Sequence, residues 1–410
     1  MKKFIFRSFL CFSLIFIVFF IITMSLEYKN KDKIKSDVNV EVKVVDGKIQ
    51  VPDTPDKVEA NYEFSKSYYY VGTVISIALP LLFKVYGGIE VVKKRCYKHR
   101  WTEGIVLVLM FLIFSWITTF PKSFFSAFYR GRLMGLSNYT FSNYILNNVV
   151  NNCIDILTSL PIYLLFYVLY CRMKRWYIVV GVITVGLFIG GNYLYPYLDE
   201  KVNNLIPMEE GELKDSILEL SRNVGIENLE VMVIPKSKET STINAYMTGI
   251  GGSKRIVFWD TTLKQLNKNE ILSVAAHEMG HYKLNHITKS TFLAILLTIL
   301  SLIAVNAIME RRYGKDYRTL DNLVKLIFIL NLISIITTPI EMAYSRKVEV
   351  EADRFAIEKT GDYYTNGTLE IKFIETNLSP VDVDKIYKLL VYSHPTTKER
   401  IELSNSYANK

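Results

Sequence analysis

Seven stretches of the chain are apolar for long enough to cross about 30 Å of hydrocarbon. They fall at residues 4–24, 69–86, 104–120, 144–170, 176–195, 291–309 and 323–344. Each predicts a membrane-spanning helix. The fourth is polar in its first half, where Asn147, Asn148, Asn151, Asn152 and Asp155 cluster, so that half is expected at the interface or lining an internal cavity. The first follows Lys2, Lys3 and Arg7, as a signal peptide would, but no small-x-small cleavage site follows it closely, only Met24-Ser25-Leu26-Glu27. An uncleaved anchor is the better reading.

Between the apolar blocks the period changes. After the first span, Val38, Val40, Val42 and Val44 alternate with polar residues up to Asp46-Gly47, and Ile49 and Val51 resume the alternation. That pattern predicts a β-hairpin in the aqueous phase, with a structural or recognition role. The second polar block begins near Pro196. A helix is expected at 211–224, a strand at 229–234, and a hairpin pairing 244–248 with 255–259 around Gly251-Gly252-Ser253. A further helix starts near Asn267, which with Glu270 forms a capping-box pattern. The expected organisation is a first span in 1–26, a polar loop in 27–68, a four-span membrane region in 69–195, and a domain in 196–410 interrupted by two spans at about 291–344. No internal repeat is evident.

Charge sharpens this picture. Of 410 residues, 50% are hydrophobic, and 49 Lys+Arg face 40 Asp+Glu. The basic residues collect at span ends, in Lys93-Lys94-Arg95, Lys98-His99-Arg100, Arg172-Met173-Lys174-Arg175 and Arg311-Arg312. Such clusters mark the cytoplasmic face of a membrane protein and give no sign of nucleic-acid binding. The expected partners are the lipid bilayer and a peptide or protein, and the expected location is the cell membrane. Cys11, Cys96, Cys153 and Cys171 lie in or beside spans without CxxC spacing, so any metal must be held by His and carboxylate.

The chemistry sits in Ala276-His277-Glu278-Met279-Gly280-His281, an HExxH pattern. On a helix His277 and His281 share a face and can bind one Zn2+, while Glu278 points to its open position as general base. The apolar run Ile271, Leu272, Val274, Ala275 predicts that this helix is buried. A catalytic zinc normally has three protein ligands. The third is expected from the helix 346–357, where Glu349 and Asp353 are four apart and share a face. Glu349 would bind the metal, Asp353 would accept the free ring N–H of a ligand histidine, and Glu351, on the far side, is read as structural. His394, in Ser393-His394-Pro395, and Arg400 are candidate donors to the developing oxyanion.

With these residues in place the chain resembles the CAAX prenyl endoproteases, multi-pass zinc peptidases of gluzincin type. His277 to His286 is similar to the family's HExGHWxxxH, and Ser345-Arg346 with Glu349 to Asp353 and Phe355-Ala356 to its SRxxExxADxFA. Ser393-His394-Pro395 with Arg400 is similar to SHPxxxxR, Asn244-Ala245-Tyr246 to its NAY strand, Lys254 to Asp260 to the segment after it, and Phe120-Pro121 with Gly135 to an N-terminal element. The resemblance implies a mainly α integral membrane protein whose seven helices enclose a chamber, with a gluzincin-like zinc peptidase domain carrying a small β-hairpin or sheet. It also implies a substrate peptide added as a strand at Asn244, Ala245 and Tyr246. Three departures are visible. Tyr282 stands where the family often has Trp, no acidic residue lies among Arg130, Gly131 and Arg132, and the loop after the first span has no evident counterpart.

The expected function is therefore a zinc-dependent endopeptidase. Its substrates are either prenylated C-terminal peptides or membrane and signal-type peptides, the second favoured by a Lys-, Asn- and Ile-rich composition typical of low-GC bacteria. The alternative is a non-enzymatic scaffold or transporter with a relic metal site, against which the intact Glu278 argues. The side of the membrane stays open. The basic loops place the N-terminus inside and the zinc outside, whereas the eukaryotic members of the resembling family face the cytosol; agreement among three short loops favours outside.

Overall fold

The computed structural model describes residues 1–95, 100–249 and 253–408. The apolar blocks become long helices. The first, α1 (Lys2–Lys29), is followed by the short α2 (Lys31–Lys35), the strands β1 (Val44–Val45) and β2 (Lys48–Ile49), and α3 (Asp56–Val85). Next come α4 (Gly88–Arg95) and α5 (Arg100–Ser123), which continues through a π-helical turn at Phe124–Tyr129 into α6 (Arg130–Met134). Two spans follow, α7 (Phe141–Arg172) and α8 (Trp176–Asn203). Among the described residues, seven helices are long and apolar enough to cross a membrane, at the positions expected, and most run well past the apolar window. Cys96, and Lys98 and His99 of the basic cluster that ends at Arg100, lie outside the described residues.

The aqueous domain opens with β3 (Ile206–Pro207), α9 (Glu212–Asn223), β4 (Glu230–Ile234), β5 (Ala245–Thr248) and β6 (Arg255–Trp259). They form one sheet in the order β3-β4-β6-β5, with β4 and β6 parallel and β5 antiparallel to β6. The pairing Ala245↔Phe258 to Thr248↔Arg255 is the expected hairpin; Gly251 and Gly252 of its turn lie outside the described residues. Side chains alternate between the two faces. Val231, Val233, Ile256 and Phe258 face the helices α9 and α11. Met232, Ile234 and Val257 pack with Leu205 on the other face. Arg255 ties the sheet to the end of α8, bridging Glu200 at 3.0 Å and Glu230 at 3.0 Å.

The helices α10 (Asp260–Gln265), α11 (Lys268–Lys283), α12 (His286–Tyr313) and α13 (Leu320–Thr360) come next, then α14 (Tyr363–Asn377), α15 (Lys385–Leu390) and α16 (Thr397–Asn405). Asn267 caps α11 in the expected capping box with Glu270, which stabilises the helix start by about 1 kcal/mol.

Two expectations need correcting. The hairpin after the first span is only two residues per strand, closed by Asp46 and Gly47 at φ 50° and 73°; Val38, Val40 and Val42 lie outside it. A two-stranded hairpin has too little surface of its own to stay folded, and the flanking chain docks on helices instead. Val40 N–H donates to Glu375 Oε1 at 3.0 Å, and Ile49, 1% exposed, packs with Ile371 and Ile401. The helix around 346–357 is also not a separate element. It is the end of α13, whose 41 residues reach roughly 60 Å, about twice the hydrocarbon thickness.

The membrane helices enclose a chamber. Between α3, α5, α7 and α13 lies a cavity of about 710 Å3, lined by Phe83, Phe111, Tyr163, Leu330 and, for polarity, Ser76 and Asn331.

Candidate metal centre

One face of α11 buries Ile271, Val274, Ala275 and Met279 against the sheet; His277 and His281 turn toward α13, and Glu278 turns toward β5, within reach of the Met247 N–H. The two helices approach closely because position 280 is glycine. A Cβ there would stand 3.1 Å from Cδ1 of Phe355. That approach brings Glu349 to the histidine pair. His277 Nε2 lies 3.2 Å from Glu349 Oε2, and His281 Nε2 lies 3.5 Å from Glu349 Oε1. The two Nε2 atoms are themselves 3.1 Å apart.

The three donor atoms of His277, His281 and Glu349 lie within 4.8 Å of one another. Glu349 Oε2 is buried without a hydrogen-bond partner. A buried carboxylate oxygen left unsatisfied is costly, and the Glu349 carboxylate with the two imidazole nitrogens facing it forms the donor set that a divalent cation of the zinc type takes. The residues fit the group.

Each histidine is braced from behind. His277 Nδ1 donates to Asp353 Oδ1 at 2.8 Å. Asp353, 1% exposed, also takes Nε and Nη2 of Arg400 at 2.9 and 2.5 Å. Arg400 Nη1 then reaches Glu370 Oε1 at 2.9 Å. His281 Nδ1 lies 3.0 Å from His286 Nδ1, and His286 Nε2 lies 3.1 Å from Glu351 Oε2. Glu351 points away from Glu349 as expected, yet it is joined to the centre through His286. Sequence reasoning gave His286 no role, although it stands in the HExGHWxxxH pattern; it missed Glu370 altogether.

A cleft of about 580 Å3 opens over these residues, lined by Asn244, Ala245, Glu278, Tyr392 and His394 among others. His394 places Nε2 3.5 Å from Glu349 Oε2, while its Nδ1 meets Ser393 Oγ at 2.9 Å. Arg400 lines the cleft too, but all three of its guanidinium nitrogens are engaged by Asp353 and Glu370. β5 forms the sheet edge beside the cleft, and Asn244 is fixed by Thr262, whose hydroxyl donates to the Asn244 carbonyl at 2.6 Å. Tyr246 is turned away from the cleft and donates to Asp199 Oδ2 at 2.6 Å.

The electrostatics follow from burial. Burial raises the Glu278 carboxyl above the ordinary glutamate range, against the pull of His277, His281 and the Met247 N–H. Burial also pushes Glu370 up to about 7, only partly offset by Arg400. Arg400 itself is buried, but Asp353 and Glu370 more than compensate and hold its pKa above the usual arginine value.

Seven membrane-length helices, an HExxH helix and a third acidic donor arriving on the seventh span define an integral membrane metallopeptidase. The comparisons agree. Residues 207–406 match the family model of peptidase family M48, and residues 55–199 match the one described as CAAX prenyl protease N-terminal, five membrane helices. Among its relatives are an uncharacterized metalloprotease, YhfN, of Bacillus subtilis, 28% identical over 86% of this chain and 86% of that one. A CAAX prenyl protease 1 homolog of Dictyostelium discoideum is 29% identical over 79% of this chain and 76% of its own. The fold is that of the S. mikatae Ste24p crystal structure, with a TM-score of 0.74 at 21% identity, covering 97% of this chain and 99% of that one. The protein is a multi-pass membrane metalloendopeptidase.

Proposed function

We propose that the metal is a single Zn2+ held by His277, His281 and Glu349, and that the chain hydrolyses peptide bonds of a substrate lying in the cleft against β5. The observation that carries this reading is the buried Glu349 carboxylate, its Oε2 unpartnered, facing the Nε2 atoms of His277 and His281 through Oε2 and Oε1. Zinc held there supplies Lewis acidity toward a water and a peptide carbonyl. Glu278 takes the proton of the attacking water and returns it to the leaving amine. Its carboxyl, raised by burial, is thereby better matched to both transfers near neutral pH than an exposed glutamate.

The substrate backbone extends β5 by one strand, its register set by Asn244 and Ala245, in the general mode of β-augmentation. Tyr246 contributes through the backbone and through its anchor on Asp199. His394 is the donor placed to meet charge developing on the carbonyl oxygen. Asp353 fixes the Nδ1–H tautomer of His277, so that Nε2 is presented to the metal. Arg400 serves by holding Asp353, because its three nitrogens are already engaged.

The substrates proposed are membrane-associated peptides at the cell membrane, either prenylated, as in the names of the eukaryotic relatives, or of the signal-peptide type. The test uses the full chain purified in detergent. Glu278→Gln should retain stoichiometric zinc and lose peptidase activity by several orders of magnitude. A variant that still cleaves a generic or prenylated peptide at the native rate would remove Glu278 as the base, and a native protein that binds zinc but cleaves nothing would favour the scaffold reading.

A further inference from the structure

One buried acid has no part in the chemistry so far. Glu370 is 3% exposed on α14, one turn after Asn366, and its only apolar neighbours in sequence, Leu369 and Ile371, are buried with it. A leucine would fit such a position at lower cost, because taking a carboxylate out of water costs several kcal/mol unless it is well paired. Among the described residues, one Lys or Arg pairs with Glu370, and that cation is shared. Arg400 gives Nε and Nη2 to Asp353 and Nη1 to Glu370.

The place of Glu370 is set independently of that contact. Asn366 Nδ2 donates to Ser273 Oγ on α11 at 3.2 Å, and Ser404 Oγ on α16 donates to Asn366 Oδ1 at 3.0 Å. These buried bonds pin α14 to the motif helix and to the helix that carries Arg400. One turn on, Glu370 is therefore presented to Arg400 by a frame that does not depend on the ion pair. A guanidinium is planar, so fixing Nη1 fixes the plane in which Nε and Nη2 meet a carboxylate.

We propose that Glu370 is a positioning residue of the metal centre: by holding Nη1 of Arg400 it keeps the guanidinium in its two-pronged contact with Asp353, and through Asp353 it sets the orientation of His277. The chain of contacts Glu370, Arg400, Asp353, His277 runs from α14 through α16 and α13 to α11. It rests on the reading of His277 as a zinc ligand, and it makes zinc affinity depend on a helix that contributes no ligand.

The experiment compares Glu370→Leu and Glu370→Gln with the native chain in detergent, reading zinc affinity by chelator competition and kcat and KM on one peptide. The leucine variant should bind zinc about tenfold more weakly, at the lower end of the effect of outer-shell partners, with kcat reduced and KM unchanged. Glutamine keeps the acceptor and should restore most of both. Combined with Asp353→Asn, the leucine change should add little further loss, because its effect passes through Asp353. Should Glu370→Leu not fold, Glu370→Asp withdraws the carboxylate by one methylene and should give the same pattern at smaller amplitude. Native zinc affinity in every Glu370 variant, losses that add fully to those of Asp353→Asn, or a change confined to KM would each overturn the proposal. Failure of the native chain to bind zinc would instead overturn the functional reading beneath it.

Discussion

At the scale of single residues, the centre is two histidines each held by its own relay. On one side the order is His277, Asp353, Arg400; on the other it is His281, His286, Glu351. With Nε2 of His281 turned to the metal, its Nδ1 carries the proton and donates to Nδ1 of His286. His286 is then the neutral Nε2–H tautomer and donates to Glu351. On the proposed ligation both relays are polarised toward Nε2 of the histidine, which raises its basicity. Asp353→Asn and His286→Ala should each weaken zinc binding by about 10- to 100-fold in chelator competition without abolishing it, whereas Glu349→Ala should lose the metal. Unchanged affinity in His286→Ala would make that histidine a packing residue of the α11–α12 junction. The first relay was legible in the sequence because Glu349 and Asp353 stand at helical spacing. The second was not, because Glu351 reaches the centre only through a residue on another helix. Glu370 carried no local signal of any kind; its partner lies 30 positions on and is brought to it by the packing of α14 on α16.

At the scale of elements, periodicity located the spans and the hairpin of the sheet, since each is a local pattern of apolar positions. It could not say that α13 runs unbroken from the chamber into the site, because the boundary between its apolar and charged halves changes composition but not helix geometry. Nor could alternation in 38–51 say what covers the hairpin. The answer is α14 and α16, the helices that carry Glu370 and Arg400. Asn405 on α16 clamps the strand at both backbone groups of Ile49, accepting its N–H at 2.9 Å and donating to its carbonyl at 2.8 Å. Ile49 fills the space left by Gly367, where a Cβ would meet its Cδ1 at 2.5 Å. Ile49→Ala should therefore cost about 2 to 5 kcal/mol at this junction. The expected readout is a lower midpoint of thermal unfolding in detergent together with faster proteolytic nicking within 36–55. Nicking at the native rate would show that the segment is held elsewhere.

At the scale of the whole molecule, the two ends differ in charge and in packing. At the end away from the metal, Tyr170 donates to the Thr319 carbonyl at 3.1 Å, Trp176 donates to the Tyr317 hydroxyl at 2.6 Å, and Lys84 and Lys93 pair with Asp321. The clusters at 93–95, 172–175 and 311–318 thus meet on one face. The metal centre, the sheet and the segment docked by Ile49 share the other. Short basic loops are retained in the cytoplasm, so the expected orientation has the N-terminus inside and the cleft outside. The long loop carrying the motif reports orientation poorly by itself; the weight falls on the three short loops acting together. A Ser253→Cys substitution, at the hairpin beside the cleft, tests the assignment in a background where Cys11, Cys96, Cys153 and Cys171 are replaced. The introduced thiol should react with a membrane-impermeant maleimide in intact cells. Labelling that appears only after lysis would place the zinc in the cytosol and leave the basic face outside, against the positive-inside rule.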